Sequence, residues 1–196
     1  MCFSLDGMLG VWPMLKKTTP FFMLCFLFLN TCSFGFPAKD VQVITDRQYV
    51  DVVRRCLKNA KSSIQLMMFE AGYYKQYPDS PSNLLIRELI AAKKRGLDVK
   101  VILEQREGTE RATLRNKETG ALLAESGVNV VYDPLNVTTH TKLLIIDAEI
   151  SVVGSTNWTY NALDKNHEVA VLIRSQEVAN DLQHYFQGIW KTCRSK

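Results

Sequence analysis

The sequence predicts an α/β protein, an α/β/α sandwich with a central mixed β-sheet. Short apolar segments rich in β-branched residues alternate along the chain with segments whose apolar residues recur at helical spacing. Of the 196 residues, 46% are hydrophobic and 22% are charged, which are ordinary values for a globular protein and exclude a disordered or fibrous chain. The formal net charge of +4 is compatible with a polyanionic partner but does not require one.

The first two predicted strands flank a helix. Alternation of Val and Ile with polar residues predicts a strand over 41–45. Apolar residues at helical spacing predict a helix over 46–60, and the apolar run 63–69 predicts a buried strand. The aromatic and turn residues of 72–81 then predict a loop.

The next helix has recognisable ends. Ser82 is a suitable N-cap for a helix over 83–95, and Gly96 follows the basic last turn of that helix. The apolar residues of 99–103 predict the third strand, which leads into a charged loop over 104–110.

The C-terminal half continues the alternation of strands and helices. The apolar spacing predicts a helix over 111–126, a strand over 128–132, a hairpin over 140–153, a strand over 168–173 and an amphipathic closing helix over 176–192. No internal repeat and no low-complexity linker interrupts this order. We therefore predict one domain over residues 37–196.

Residues 1–36 have the features of a targeting segment. Two lysines precede the apolar stretch 21–29, and small residues follow it at 33 and 35, which is the order of parts in a secretory signal peptide. This order predicts an exported protein, either periplasmic or secreted. Residues 1–13 match no part of a signal, so Met14 is the more natural start and 1–13 are candidates for an untranslated segment.

Two alternatives for the targeting segment remain open. No charged residue lies between Lys17 and Lys39, so the segment could stay uncleaved as an N-terminal membrane anchor, although Asn30 and Thr31 interrupt its apolar character. The residues before Cys32 also loosely resemble a lipoprotein signal.

The cysteines allow two interpretations. Removal of a signal peptide would leave only Cys56 and Cys193. Two cysteines in an exported domain are candidates for a disulfide, whereas two unpaired thiols on separate helices are the alternative. The spacing of potential ligands matches no metal site, so we expect neither a metal nor another cofactor.

The candidate catalytic residues begin at the predicted hairpin. His140 and Lys142 would share one face of a strand, because side chains alternate along a strand. Asp147 would fall on the other face, where it could brace the turn at 148–149. Gly154 would allow a close backbone approach at the end of the returning strand.

The remaining candidates follow within a few residues. Ser155 and Asn157 can present a hydroxyl and an amide on one side, and Glu168 supplies a carboxylate. The set suits attack on a phosphodiester, with His140 as nucleophile and with Lys142, Ser155 and Asn157 neutralising the non-bridging oxygens. Glu168 could hold His140 in the tautomer that frees its attacking nitrogen. Because the ammonium of Lys142 can supply the positive charge that a metal ion would otherwise supply, we predict metal-independent chemistry.

The spacing of these residues resembles that of a known family. The HKD motif of the phospholipase D superfamily has the same offsets as His140, Lys142, Asp147, Gly154, Ser155 and Asn157. Glu168 stands where that family carries its supporting acid. The resemblance is closest to the small members with one motif, which include bacterial endonucleases and the mitochondrial cardiolipin-hydrolase branch.

The resemblance implies a phospholipase D-like fold and a role for each residue. His140 is implied as nucleophile, Lys142 and Asn157 as phosphate ligands, Ser155 as an assisting hydroxyl, Glu168 as the group that orients His140, and Asp147 as a structural residue. Members with two motifs use a second histidine as the acid for the leaving oxygen. Only one of the three histidines here lies in an HxK sequence, so the resemblance implies a homodimer in which two copies of His140 face one phosphate.

The substrate has two main candidates. The compact form with one motif and the mild positive charge favour a non-specific endonuclease acting on DNA or RNA. The export signal and the aromatic loop 72–77 favour the alternative, a phospholipase D or cardiolipin hydrolase that acts on phospholipid headgroups. A third hypothesis, a nucleic-acid-binding protein with a decayed site, is disfavoured by the intact set of polar residues.

Overall fold

A mixed β-sheet of eight strands forms the centre of the computed structural model, which describes residues 35–195. The strands are β1 (Asp40–Thr45), β2 (Ser63–Met68), β3 (Asp98–Leu103), β4 (Asn129–Tyr132), β5 (Lys142–Ile146), β6 (Ile150–Gly154), β7 (Val169–Arg174) and β8 (Arg194–Ser195). Their order across the sheet is β1-β7-β6-β5-β2-β3-β4-β8. Strands β2, β3 and β4 are parallel, and every other neighbouring pair is antiparallel.

Helices cover both faces of the sheet, so the predicted α/β/α sandwich is confirmed. They are α1 (Gln48–Asn59), α2 (Pro81–Lys94), α3 (Arg111–Glu125), α4 (Tyr160–Asp164) and α5 (Gln176–Trp190). The short elements α4 and β8 are absent from the sequence prediction, because five-residue and two-residue elements carry too little hydrophobic periodicity. The predicted hairpin is present, but its first strand begins at Lys142, so His140 lies in the preceding loop rather than on the strand.

The central strands are buried on both faces, which explains their continuous apolar runs. Leu66 and Met68 of β2 belong to a core that includes residues of α1 and α2. Met67, between them, belongs to a second core closed by Ala179 and Phe186 of α5. Strand β2 therefore supplies side chains to both layers of the sandwich.

Helix α5 leaves part of its own side of the sheet uncovered. Val43 of β1, Val171 of β7 and Val153 of β6 lie side by side in the strand register, and Val153 pairs with Leu143, which lies under α5. Val43 is nevertheless 60% exposed and Val153 is 37% exposed. An apolar strip across β1, β7 and β6, which we call the valine strip, thus faces outward.

Of the two interpretations of the cysteines, the structure has the unpaired thiols and not a disulfide between Cys56 and Cys193. Cys56 is buried in the core under α1, whereas Cys193 packs against the core of α5 on the other face of the sheet. Both thiols are free. Burial raises the pKa of Cys56, and burial together with the charge of Asp133 raises the pKa of Cys193 to about 11, so both stay protonated at neutral pH.

The predicted signal or anchor lies almost wholly in residues 1–34, outside the described residues. From residue 35 onward the chain forms one compact unit. No helix within 35–195 is long and apolar enough to cross a membrane.

Candidate active site

The candidate residues meet at one edge of the sheet. The parallel strands β2, β3 and β4 end there, the antiparallel strands β5 and β7 begin there, and β6 ends beside them. The edge is open because the connecting loops, and not a helix, follow each strand end. The topology therefore brings together residues that are far apart in the sequence.

His140 is exposed on this edge. Its ring packs against the ring of Phe69, which directly follows β2, with the centroids 4.6 Å apart and the planes at 58°. The N–H of Phe69 donates to the carbonyl of Thr141 at 3.1 Å, which fixes the two segments side by side. The imidazole is thus packed against an aromatic ring and remains exposed to solvent.

Lys142 is the buried cation of the site. Its side chain is only 7% exposed, its Nζ donates to the carbonyl of His140 at 2.7 Å, and Nζ lies 4.9 Å from the centroid of Phe69. Burial lowers the pKa of Lys142, and the negative charge of Glu168 opposes that shift. The ammonium makes one hydrogen bond to the described residues, so it retains donors for an anionic ligand.

Ser155 and Glu168 form a pair between β6 and β7. The hydroxyl of Ser155 donates to Oε2 of Glu168, and Nδ2 of Asn166 donates to Oε1 of the same carboxylate at 3.0 Å. The N–H of Glu168 donates to Asp46 at 2.9 Å, which fixes the backbone. In the described part of the chain no hydrogen bond joins Glu168 to His140, so the predicted control of the tautomer stays a prediction.

Gly154 is required by close packing between β6 and β7. A Cβ at this position would meet the carbonyl oxygen of Val169 and lie 2.5 Å from the Cα of Ala170. The strand therefore has no room for a side chain, and the approach expected from the sequence is present. This packing delivers Ser155 directly to Glu168.

Asn157 lies in the loop between β6 and α4, two residues after Ser155. The next residue, Trp158, is fully buried and forms a bridge with Ala71, while its indole N–H donates to the hydroxyl of Tyr49 at 3.2 Å. Oδ1 of Asn157 is buried and has no hydrogen-bond partner among the described residues. A buried acceptor without a protein partner is available to a ligand or a water molecule.

Asp147 is structural, but it does not brace the hairpin turn. Its carboxylate accepts hydrogen bonds from the backbone N–H groups of Lys61, Ser62 and Ser63 at 2.8–3.0 Å, and so ties the hairpin to the connection between α1 and β2. Burial alone would raise the pKa of Asp147, but these hydrogen bonds bring it below its ordinary value of 3.8. The turn itself is made by the positive φ angles of Asp147 and Ala148, 55° and 51°.

Two further residues of the site were not predicted from the sequence. Phe69 contacts both His140 and Lys142, as described above. Asn116 of α3 is fully buried, donates to the carbonyls of Phe69 and Glu104 at 2.8 and 2.9 Å, and accepts from the N–H of Ala71 at 2.8 Å. The sequence signal for Asn116 was a polar residue on the buried face of a helix. Such a residue is expected to form hydrogen bonds, but the sequence does not show with which partners.

Asn157 also lines a polar cleft, and His140 is not among the residues of its walls. The cleft has a volume of about 640 Å³. Its walls carry two acidic and two basic side chains, two tyrosines and several amides and hydroxyls, from Glu70, Tyr74, Glu110, Arg111, Arg115, Asn157, Thr159, Tyr160, Asn161 and Asn166. Arg115 forms an ion pair with Glu70 and lies 5.4 Å from the ring of Tyr74. Arg111 has no ion-pair partner in the described part of the chain.

Comparison with known proteins identifies the superfamily whose motif the sequence resembles. The family model described as "Cardiolipin synthase, PLD-like domain" matches residues 53–190. A phospholipase D of Rickettsia typhi is 32% identical over 124 residues, covering 62% of this chain and 58% of the relative. A mitochondrial cardiolipin hydrolase of Mus musculus is 28% identical over 137 residues, covering 70% of this chain and 56% of the relative. The chain spans little more than half the length of these relatives.

Solved structures share the fold. The phospholipase D family member Nuc from Salmonella typhimurium superposes with a TM-score of 0.67 at 28% identity, over 80% of this chain and 99% of that one. NucT from Helicobacter pylori has a TM-score of 0.62 at 18% identity, over 80% of this chain and 100% of that one, and agrees in fold alone. The sandwich thus has the fold of that phospholipase D family member. The chain belongs to the phospholipase D superfamily, in the family of cardiolipin synthase-like PLD domains.

Proposed function

We propose that the protein is a metal-independent phosphodiesterase that hydrolyses DNA or RNA, with little sequence preference, at a site shared by two copies of the chain. The observation that carries the proposal is the juxtaposition of an exposed imidazole, His140, with a buried ammonium, Lys142, against one aromatic ring. The ammonium supplies fixed positive charge where a transferring phosphoryl group gathers negative charge.

In the first step, a ring nitrogen of neutral His140 attacks phosphorus, so that a P–N bond forms and the P–O bond to the leaving group breaks. The leaving oxygen takes a proton from the protonated His140 of a second copy. Lys142 and the amide of Asn157 stabilise charge on the non-bridging oxygens, with the Ser155 hydroxyl beside them. The product of this step is a phosphohistidine.

In the second step, water attacks the phosphorus of the phosphohistidine. The now neutral His140 of the second copy accepts the water proton, the P–N bond breaks, and His140 is released as the neutral imidazole. Both protonation states are needed at once, and a symmetric pair of imidazoles, one neutral and one protonated, supplies them. The scheme needs no redox partner and no other group.

The valine strip supports the homodimer. It is apolar, exposed and adjacent to the site, since Val153 lies on β6 two residues before Ser155, which directly follows that strand. The chemistry requires a second histidine of the same kind, and a second copy is the source of one. We therefore assign the strip to contact between two copies, which buries it and brings the two sites together.

The cleft next to Asn157 supports a nucleic-acid substrate. Its acidic and basic side chains balance, and its tyrosines, amides and hydroxyls suit the sugar and base beside a scissile phosphate. Unpaired Arg111 at its rim adds a contact for a polyanion. Its walls offer little apolar surface on which an acyl chain could lie.

A second candidate function, hydrolysis of phospholipid headgroups, has its own support. Tyr77 in the loop after β2 is 67% exposed, and it lines a second cleft of about 800 Å³ with Tyr74, Pro78 and Pro81. Aromatic side chains of this kind suit the interface between membrane and water. Two of the relatives named above are a phospholipase D and a cardiolipin hydrolase.

One assay separates the two functions. The purified protein is given single-stranded and duplex oligonucleotides, and separately vesicles that contain cardiolipin or phosphatidylglycerol, all in EDTA, with His140→Ala as the control. We expect cleavage of the oligonucleotides that weakens as salt rises, and no turnover by the variant. Release of headgroup from vesicles without cleavage of nucleic acid would assign the phospholipase function instead.

We also propose export of the protein through the targeting segment in residues 1–36. The order of basic, apolar and small residues supports this proposal. Expression in a bacterial host, followed by N-terminal sequencing of the periplasmic fraction, tests it. A chain that begins near residue 36 is expected from a cleaved signal, while a membrane-bound chain with its apolar segment intact would show an anchor.

A further inference from the structure

Two buried carboxyl groups hold the backbone directly before His140. Glu104 follows β3 and is 1% exposed, and Asp133 follows β4 and is fully buried. The N–H of Thr139 donates to Oε2 of Glu104 at 2.6 Å and to Oδ2 of Asp133 at 3.0 Å. The two carboxyl groups therefore meet at one donor, and that donor belongs to the residue before the nucleophile.

The surroundings of this pair do not neutralise two negative charges. Among residues 35–195 the one cation bonded to it is Arg106, whose Nε donates to Oε1 of Glu104 at 3.2 Å and which also contacts Glu110. On the other side, the N–H of Gln105 donates to Oδ1 of Asp133 at 2.8 Å, and the neutral thiol of Cys193 lies near Asp133. Burial of a second uncompensated carboxylate would be costly.

A single shared proton removes this cost. Burial and a hydrogen bond to Asp133 raise the pKa of Glu104 to about 7, and the hydrogen bonds from Thr139 and Arg106 oppose the shift only in part. A carboxyl that donates to a neighbouring carboxylate is the usual solution for two acids at one place. The pair then carries one negative charge, which Arg106 balances.

We propose that Glu104 and Asp133 are positioning residues for His140: they hold one proton between them and, through the N–H of Thr139, fix the backbone that presents His140 and Lys142 to the phosphate. Neither carboxyl contacts the substrate. The effect passes through the backbone, because the carbonyl of His140 is also the acceptor for the ammonium of Lys142. Loss of the shared proton places two like charges together and releases this segment.

The inference rests on the proposed phosphodiesterase function, and it adds a pH dependence to it. Below neutral pH the pair is protonated and the segment 139–142 is held. As the pH rises through about 7, the pair loses its proton and the segment loosens, so kcat falls on the alkaline side. A displacement of this kind affects orientation more than phosphate affinity, so KM should change little.

The test compares Glu104→Gln, Asp133→Asn and Glu104→Ala with wild type. The carboxamide of Gln keeps a donor toward Asp133 and an acceptor for Thr139 but has no proton to lose, so the alkaline fall of kcat should move up by about one pH unit or more. Glu104→Ala should lower kcat about tenfold to a hundredfold with KM within about a factor of two. Glu88→Gln is the matched control, since Glu88 is a buried acid paired with Arg54 away from the site.

Activity is measured with bis(p-nitrophenyl) phosphate, which is independent of the choice between nucleic acid and lipid. Amide hydrogen exchange of residues 139–142, measured at pH 6 and pH 8, reports on the segment without any substrate. Wild type should exchange faster at pH 8 than the known pH dependence of intrinsic exchange explains, and Glu104→Gln should not.

An unchanged pH profile in Glu104→Gln and equal protection in both proteins would overturn the proposal, even if the protein is an active phosphodiesterase. Should Glu104→Ala not fold, Glu104→Gln and Asp133→Asn still decide the matter. If no variant and no wild type turns over substrate, the proposed function fails, while hydrogen exchange still decides the positioning role.

Discussion

The ammonium of Lys142 donates a hydrogen bond to the backbone carbonyl of His140, at 2.7 Å. Both residues also contact the ring of Phe69, so the nucleophile and the cation are fixed relative to one another before any substrate arrives. Fixed geometry of this kind avoids reorganisation during the reaction and is a main source of electrostatic catalysis.

Replacement of Lys142 should therefore abolish most activity. We expect Lys142→Met, which keeps the length of the side chain but removes its charge, to lower kcat by about 10²–10³-fold. Lys142→Arg should not restore activity, because the planar guanidinium has different size and geometry in a buried site. Lys117→Ala on the exposed face of α3 is the control. Steady-state kinetics with bis(p-nitrophenyl) phosphate checks the prediction. A wild-type kcat in Lys142→Met would contradict the role of this ammonium in stabilising charge on the phosphate.

Gly154→Ala should destabilise the fold. The added methyl group would lie 2.5 Å from the Cα of Ala170, and backbone atoms of β7 cannot move away without breaking the sheet. We expect a loss of about 1–3 kcal/mol or more in the free energy of unfolding. The matched control is Gly188→Ala in α5, where nothing lies within 4 Å, and this variant should gain about 0.5–1 kcal/mol. Urea unfolding measures both, and equal stability of the two variants would refute the packing explanation.

The contribution of Asp147 to stability should depend on pH. Its pKa is lower in the folded state than the ordinary value of 3.8, so its stabilising effect is present above about pH 4 and is lost as the pH falls through the folded-state pKa. We expect Asp147→Asn to cost about 1–3 kcal/mol at pH 7 and much less at pH 3. Asp79→Asn, at an exposed loop position, should cost nothing at either pH. A difference between wild type and Asp147→Asn that is the same at both pH values would contradict this assignment.

The valine strip should control assembly. Val43→Asp places a charge on the exposed strip without touching the residues of the site, so we expect it to give a monomer with activity reduced about tenfold or more. Leu114→Asp is the matched control, because Leu114 is 46% exposed on α3, on the other side of the sheet. Light scattering at the assay concentration measures the mass. A monomeric wild type with full activity would exclude the shared site.

Much of the fold could be predicted from local patterns. The buried strands carry unbroken apolar runs, and the spacing of apolar residues predicted α2 within two residues of its bounds. The predicted N-cap, Ser82, is wrong, because the helix begins at Pro81 after Ser80. The motif also placed His140, Lys142, Ser155 and Asn157 near each other, because a hairpin and the next loop are close in sequence.

The remaining features depend on contacts between distant segments. His140 lies in the loop before β5, where the preceding residue, Thr139, is held by Glu104 and Asp133, which are 35 and 6 residues away in sequence. Asp147 likewise binds the backbone of 61–63, a segment that is distant in the sequence. The sequence left open whether the cysteines pair, because no pattern of cysteine spacing shows on which face of a sheet each residue lies, and in the structure the sheet separates them.

Trp158 joins the loop that carries Asn157 to the interior of the molecule. Its N–H donates to the carbonyl of Glu70, its own carbonyl accepts from Gly72, and its indole reaches Tyr49 on α1. The loop therefore has no low-energy route by which it can open alone, because release of the indole would expose the core beneath α1. Amide protons of Trp158 and Gly72 should accordingly exchange only through global unfolding, at the slowest rates in the protein.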